Sequence, residues 1–172
     1  KEDFLLCSGR LAPEKGASEA VQIARAAGVP IKLAGMIEPR YQDYYSHAIE
    51  PHVDGKNVEY VGLLKQTEIA ELYQRAKALV CPIHWDEPFG LVAVEAQACG
   101  TPMLGARKGA FKEIVEEGVT GFLFDEVDEA SRLVPRLDEI DPHDCRKSAV
   151  ERFSADAMAD GYEKVYRKLI AA

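Results

Sequence analysis

The sequence predicts an α/β fold, a parallel sheet of about six strands with helices on both faces. Three observations predict it. Short apolar runs alternate with longer amphipathic ones through the first 125 residues. Glycine and proline punctuate the changeovers, as at Gly28 and Pro30 or Gly100 and Pro102. The tail after residue 125 is helical in pattern and offers no further strand. Alternating strands and helices imply βαβ units and a parallel sheet with right-handed crossovers.

The elements follow in order. Residues 4–7 (FLLC) are an apolar strand, and 17–27 (ASEAVQIARAA) a helix stopped by Gly28. Residues 31–35 (IKLAG) are a strand, 40–49 (RYQDYYSHAI) a helix ended by Pro51, and 58–62 (VEYVG) a strand. Thr67 is expected to cap a helix over 68–76, followed by a strand at 78–83 (ALVCPI). Residues 91–99 (LVAVEAQAC) form a helix with Gly100 just past its end, a common helix stop. A short strand at 103–106 (MLGA), a helical turn or two within 110–118 (AFKEIVEEG) and a last strand at 120–124 (TGFLF) complete the alternation. Helices near 128–138, 142–152 and 154–170 form the tail.

A chain of 172 residues, 47% hydrophobic, can bury a sizeable core, and it reads as one domain over 1–172. The formal charge of −8 argues against nucleic acid or an anionic membrane as the main partner. No apolar run approaches the roughly 20 residues of a membrane-spanning helix. No secretory leader is visible, and the chain does not begin with Met, so a piece of a longer protein is expected. Cys7, Cys81, Cys99 and Cys145 form no CxxC pair and read as reduced, mostly buried thiols of a cytoplasmic protein. The four histidines lack metal-ligand spacing, so no metal site is expected.

In open α/β sheets ligands bind beyond the carboxyl ends of the strands, so chemistry is expected in the loops that follow strands. The first such loop is GRLAPEKG, residues 9–16. Gly9 and Gly16 permit tight backbone, and Arg10 and Lys15 place two cations near a helix N-terminus. That end already favours anions, so the cations make sense with a phosphate or diphosphate between them and the backbone N–H groups. The loop fits neither G-x-G-x-x-G nor the Walker A pattern, and a solvated surface turn explains it equally well.

The second loop is HWDEPFG, residues 84–90. Pro88 disfavours helix at Glu87, so Glu87 belongs to the loop. Gly90 and Leu91 open the next helix and offer a second anion-friendly end. Glu95 then falls about one turn inside an otherwise apolar helix. A buried charge is costly unless paired. A vicinal diol would satisfy it, since a carboxylate accepts two hydrogen bonds at once. A salt bridge or an exposed helix edge would do so as well. In an empty site it is expected to hold water or a neighbouring cation. A third loop, RKGAFKE at 107–113, could add Gly109 and Ala110 backbone to the same site.

In that order, GRLAPEKG, EPFGLVAVE, ACGTP and KGAFKEIVEEGVTGFLF resemble the C-terminal, donor-binding half of GT-B glycosyltransferases of family 4. Glu87 and Glu95 match that family's E-x7-E motif. The form W-x-EPFGL-x-x-x-EA-x-ACGTP looks closest to the branch of UDP-glucose–tetrahydrobiopterin-type glucosyltransferases. The resemblance covers essentially the whole chain.

It implies a Rossmann-like half of a GT-B fold and retaining transfer of a hexose from a nucleoside diphosphate sugar, with UDP-glucose the first expectation. It implies no metal, because the helix dipole and basic side chains neutralise the leaving diphosphate. Arg10 and Lys15 match the basic pair on the diphosphate, and Glu87 the acid on the sugar hydroxyls. Phe89, Gly90 and Leu91 match the segment whose backbone meets sugar and phosphate, with Gly9 in the first loop. Glu95 matches the ribose acid, and the base is expected near Gly62 to Leu64. Two departures stand out: AGMIE keeps only Gly35 of a frequent G-x-G, and Ile83 and His84 replace a frequent Ser. His84 reads either as a sugar contact or as a loop histidine packed by Trp85. An acceptor-binding N-terminal half is expected before residue 1, with the helix at 154–170 crossing back toward it. The other readings are half of a sugar-nucleotide epimerase, or a non-catalytic nucleotide-sugar-binding module.

Overall fold

The structure is a computed structural model that describes residues 1–171. Its six strands are β1 (Leu5–Ser8), β2 (Ile31–Ala34), β3 (Val58–Gly62), β4 (Ala78–Cys81), β5 (Met103–Ala106) and β6 (Gly121–Phe124). They form one sheet in the order β3-β2-β1-β4-β5-β6, and every pairing is parallel. This is the doubly wound, Rossmann-like order. Strands β4, β5 and β6 are buried along their whole length. That explains their near-continuous apolar sequences, as parallel strands are covered on both faces. The β1–β4 ladder is the shortest, with two register pairs against four for β1–β2.

The helices are α1 (Ala17–Ala27), α2 (Gln42–Ala48), α3 (Gln66–Arg75), α4 (Leu91–Ala98), α5 (Phe111–Ile114), α6 (Val127–Leu133), α7 (Pro142–Phe153) and α8 (Ala155–Ile170). Helix α1 packs on α6, while α4 packs on both α3 and α7. Local signals set their ends. The Gly28 N–H closes α1 onto Ala24 and Arg25 carbonyls. The side chains of Asp141 and Ser154 cap α7 and α8.

Several boundaries differ from expectation, each for a local reason. Helix α3 starts at Gln66 rather than after Thr67, because the Glu68 carboxylate reaches back to the Lys65 N–H at 2.7 Å. Strand β4 stops at Cys81, since Pro82 has no N–H to give a ladder. The helical turn or two expected within 110–118 is α5, a single turn, and Gly118 then turns the chain toward β6. The helix expected near 128–138 breaks after Leu133 into a 3-10 segment, Val134–Glu139, that contains Pro135.

Cys7, Cys81 and Cys145 are buried, Cys99 is half-buried, and all four are free. Among the described residues no helix is long and apolar enough to cross a membrane. Helix α8 packs chiefly on α7, and none of its residues is buried. Met158, Tyr162, Val165, Tyr166 and Leu169 form an exposed apolar stripe along it.

Candidate functional site

The strand order reverses between β1 and β4, and there the loops that follow the two strands part into a groove. A cavity of about 290 Å³ opens on the β2–β3 side. Its lining includes Gly9, Gly35, Leu64, Tyr73 and Glu95. A smaller cavity of about 50 Å³ lies on the β4 side, lined by Lys15, Cys81, Glu87 and Phe111 among others. Ser8, Gly9, Arg10 and Val92 line both, so the two are neighbouring parts of one groove.

Helix α4 points its start at this groove. No side chain caps it, and only the third and fourth helical N–H groups return to the Gly90 carbonyl. The first helical N–H groups are those without an intrahelical acceptor, and they carry the positive end of the dipole. Gly90 adopts φ 81°, and a Cβ there would come within 2.6 Å of the Phe111 ring. Only glycine lets the loop pass this close and turn into the helix. The side chains of Phe89 and Leu91 are exposed, so what this segment offers the groove is backbone.

The two carboxylates stand on either side of that helix start. Glu87 lines the smaller cavity and Glu95 the larger. Glu87 lies outside α4, as the proline after it requires. Glu95 is exposed, not buried, so the cost of burying its charge does not arise in full. Desolvation by the cavity wall still pushes its pKa up. Among the described residues it makes no ion pair, so of the two expected partners, water or a neighbouring cation, the cation is not the one.

Both cations of the first loop are held by acids. Lys15 Nζ lies 2.6 Å from Glu87 Oε2, with side chains 24% and 14% exposed. Arg10 pairs with Glu38 at 3.1 Å and with Glu14 at 3.5 Å. The hydrogen bond that Arg10 donates to the Glu38 carboxylate holds the Arg10 pKa up.

The third loop braces the second instead of facing the groove. The Gly109 N–H donates to Asp86 Oδ1 at 3.0 Å, and the Ala110 N–H to the Glu87 carbonyl at 2.8 Å. Gly109 has φ 50°, and a Cβ there would lie 2.4 Å from the Glu87 nitrogen. Its N–H and that of Ala110 are therefore spent within the protein.

Leu64 lines the larger cavity, but Gly62 does not, because its carbonyl is turned to accept the Gly35 N–H at 2.8 Å. His84 lies apart from both cavities. Its Nε2 sits 2.9 Å from Glu19 Oε1, in a separate hollow of about 220 Å³ with Lys108 and Asp125. The Trp85 ring carries Lys15 Nζ over its face.

Sequence reasoning missed Tyr73 and Ser8, whose hydroxyls lie 2.7 Å apart in the larger cavity. Burial pushes the Tyr73 pKa well up. A tyrosine at the end of an amphipathic helix carries no mark that sets it apart from core. Among the described residues no three His, Cys, Asp or Glu side chains gather into a metal-holding cluster.

The chain matches a family model described as "Glycosyl transferases group 1" over residues 1–159. It is 39% identical over 122 residues to glycogen synthase of Mycobacterium tuberculosis, covering 68% of this chain and 29% of that protein. It is likewise 39% identical over 122 residues to D-inositol 3-phosphate glycosyltransferase 2 of Catenulispora acidiphila, covering 66% of this chain and 28% of that protein. The structure of AviGT4, a glycosyltransferase involved in avilamycin A biosynthesis, superposes with a TM-score of 0.80 at 32% identity, covering 100% of this chain and 52% of that one. Anabaena Alr3699/HepE, solved in complex with UDP, superposes with a TM-score of 0.84 over 97% of this chain and 49% of that one. At 24% identity that likeness is one of fold. This chain spans less than a third of those two curated relatives and about half of those two solved ones.

Proposed function

Because the chain belongs to the glycosyl transferases group 1 family, we propose that it is the donor-binding half of a retaining hexosyltransferase of family 4, and that its donor is a nucleoside diphosphate sugar. One observation carries this reading. The uncapped start of α4 lies between two cavities, with Glu95 in one and Glu87 with Lys15 in the other. Ribose fits the first carboxylate, sugar hydroxyls the second, and a diphosphate the helix start between them. Arg10, shared by both cavities, stands beside that position.

The chemistry follows from electrostatics. Departure of the diphosphate concentrates negative charge where backbone N–H groups and cations already point. Such fixed donors stabilise developing charge without reorganising. On this reading the helix dipole and the two cations do the work of a metal, and UDP-glucose is the first donor to try. Leu63 and Leu64 bring apolar side chains to the far end of the larger cavity, where a base would lie. The acceptor belongs to an N-terminal domain that precedes this one. The exposed stripe on α8 suits a contact with it. Four free thiols suit a cytoplasmic protein.

A thermal-shift series with UDP, GDP and their glucose esters tests the reading. At least one nucleotide raises the melting temperature at millimolar concentration, EDTA leaves the shift in place, and Glu95→Ala removes it. The absence of any shift with every nucleotide would sink the donor-site assignment.

A further inference from the structure

Trp85 is the one tryptophan of the chain, and it stands in the loop between β4 and α4. Lys15 Nζ lies 4.6 Å from the centre of its ring. The same ammonium is 2.6 Å from Glu87 Oε2. One loop therefore offers Lys15 two different holds, a carboxylate and an aromatic face, two residues apart in sequence.

The two holds differ in kind. A carboxylate grips an ammonium at one point through a charge-assisted hydrogen bond. An aromatic face attracts it over an area, with no fixed direction. An ammonium can leave the carboxylate and remain over the ring. A diphosphate that enters the groove meets a Lys15 already neutralised by Glu87, and gains its full charge only by taking it away. Glu87 then has both oxygens free for hydroxyl donors. With a sugar present those oxygens are satisfied, and without one they face the diphosphate as a like charge.

We propose that the diphosphate of the donor takes Lys15 from Glu87, and that Trp85 is the positioning residue that holds the ammonium over its ring during the exchange. The proposal rests on the donor-site reading above. The Lys15–Glu87 pair is then the resting state of the site, and its opening couples diphosphate binding to the release of the sugar-binding carboxylate. The sign of one effect is unusual. Glu87, although a sugar contact, opposes binding of a nucleoside diphosphate that carries no sugar.

The test is to titrate the chain with UDP and with uridine, by calorimetry and by tryptophan emission. The wild type, Glu87→Gln, Trp85→Leu and Trp85→Phe are compared. UDP is expected to change Trp85 emission with the same midpoint as the heat, and uridine to leave it unchanged. Glu87→Gln is expected to bind UDP roughly three-fold or more tightly, with uridine unaffected. Trp85→Leu is expected to weaken UDP roughly three-fold and Trp85→Phe to restore it. UDP binding with unchanged emission, or with equal or weaker affinity in Glu87→Gln, overturns the exchange and leaves the donor site standing. No heat and no thermal shift with UDP, GDP or their glucose esters at millimolar concentration overturns both, and a chain that takes GDP and not UDP is titrated with GDP and guanosine in their place. Glu87→Gln keeps Trp85 and the loop prolines, so its result decides the matter even where Trp85→Leu unfolds.

Discussion

Glu95 shows how one residue can be exposed and still titrate abnormally. Its chain opens to solvent at the cavity mouth, while nearby apolar atoms strip water from the carboxyl and raise its pKa. The sign follows. In the folded chain the charged form is disfavoured, so Glu95 takes a proton at higher pH than a free glutamate. The cost it imposes on stability is present above its folded pKa and is relieved as pH falls through it. A ribose diol needs the ionised form as acceptor. The stabilisation by UDP should therefore fade on acidification at a pH above the usual carboxylate range of about 4.3. Glu95→Gln should lose that component, and the difference between the two melting profiles against pH measures it.

At this scale the sequence singles out groups by type and spacing and says little of what they touch. Glu87, Glu95, Arg10, Lys15 and Gly90 could be picked out because each has a type and a local spacing. The Lys15–Glu87 pair could not, since 72 residues separate its partners. The same holds for Gly109 and Ala110, which looked like ligand donors and instead hold Asp86 and Glu87 in place.

Elements began and ended where short-range chemistry dictates. The turn before β3 is an example. Asp54 Oδ1 accepts the N–H groups of Lys56, Asn57 and Val58, and Oδ2 accepts the Asn57 side chain. These donors hold the Asp54 pKa far below the usual carboxylate range. A depressed acid contributes stability that is present above its unfolded pKa, near 3.9, and lost as pH falls through its folded value. Asp54→Ala should therefore lower the melting temperature at pH 7, and the deficit should begin to shrink only below about pH 4. Melting curves from neutral to strongly acidic pH check this. Strand and helix types were legible from periodicity, but several ends were not. They depend on single hydrogen bonds, such as Glu68 to Lys65, or on a proline that breaks an otherwise helical run at 134–139.

For the whole molecule, alternation of strands and helices was enough to give a parallel sheet with helices around it. Strand order is another matter, because β1 meets β4 across some 70 residues of chain that leave no local trace. Helix α8 also shows what pattern alone omits. Its apolar stripe is helical in period, yet it is not core. Ending the chain at Ser154 should thus change unfolding free energy by no more than about 1 kcal/mol, as expected for surface changes that remove few buried contacts. Urea titration of the two chains tests it, and a loss of several kcal/mol would mean that α8 is part of the core after all.

The short ladder between β1 and β4 has a mechanical consequence. Strands β1 to β3 and β4 to β6 are two continuous stretches of chain, each with longer ladders inside it than the one that joins them. The groove lies across that join, with Gly9 and Arg10 from one stretch and Glu87, Val92 and Glu95 from the other. A ligand seated there works as a rivet. It binds only the docked arrangement, so it stiffens the sheet at its thinnest seam and suppresses the opening of one half from the other.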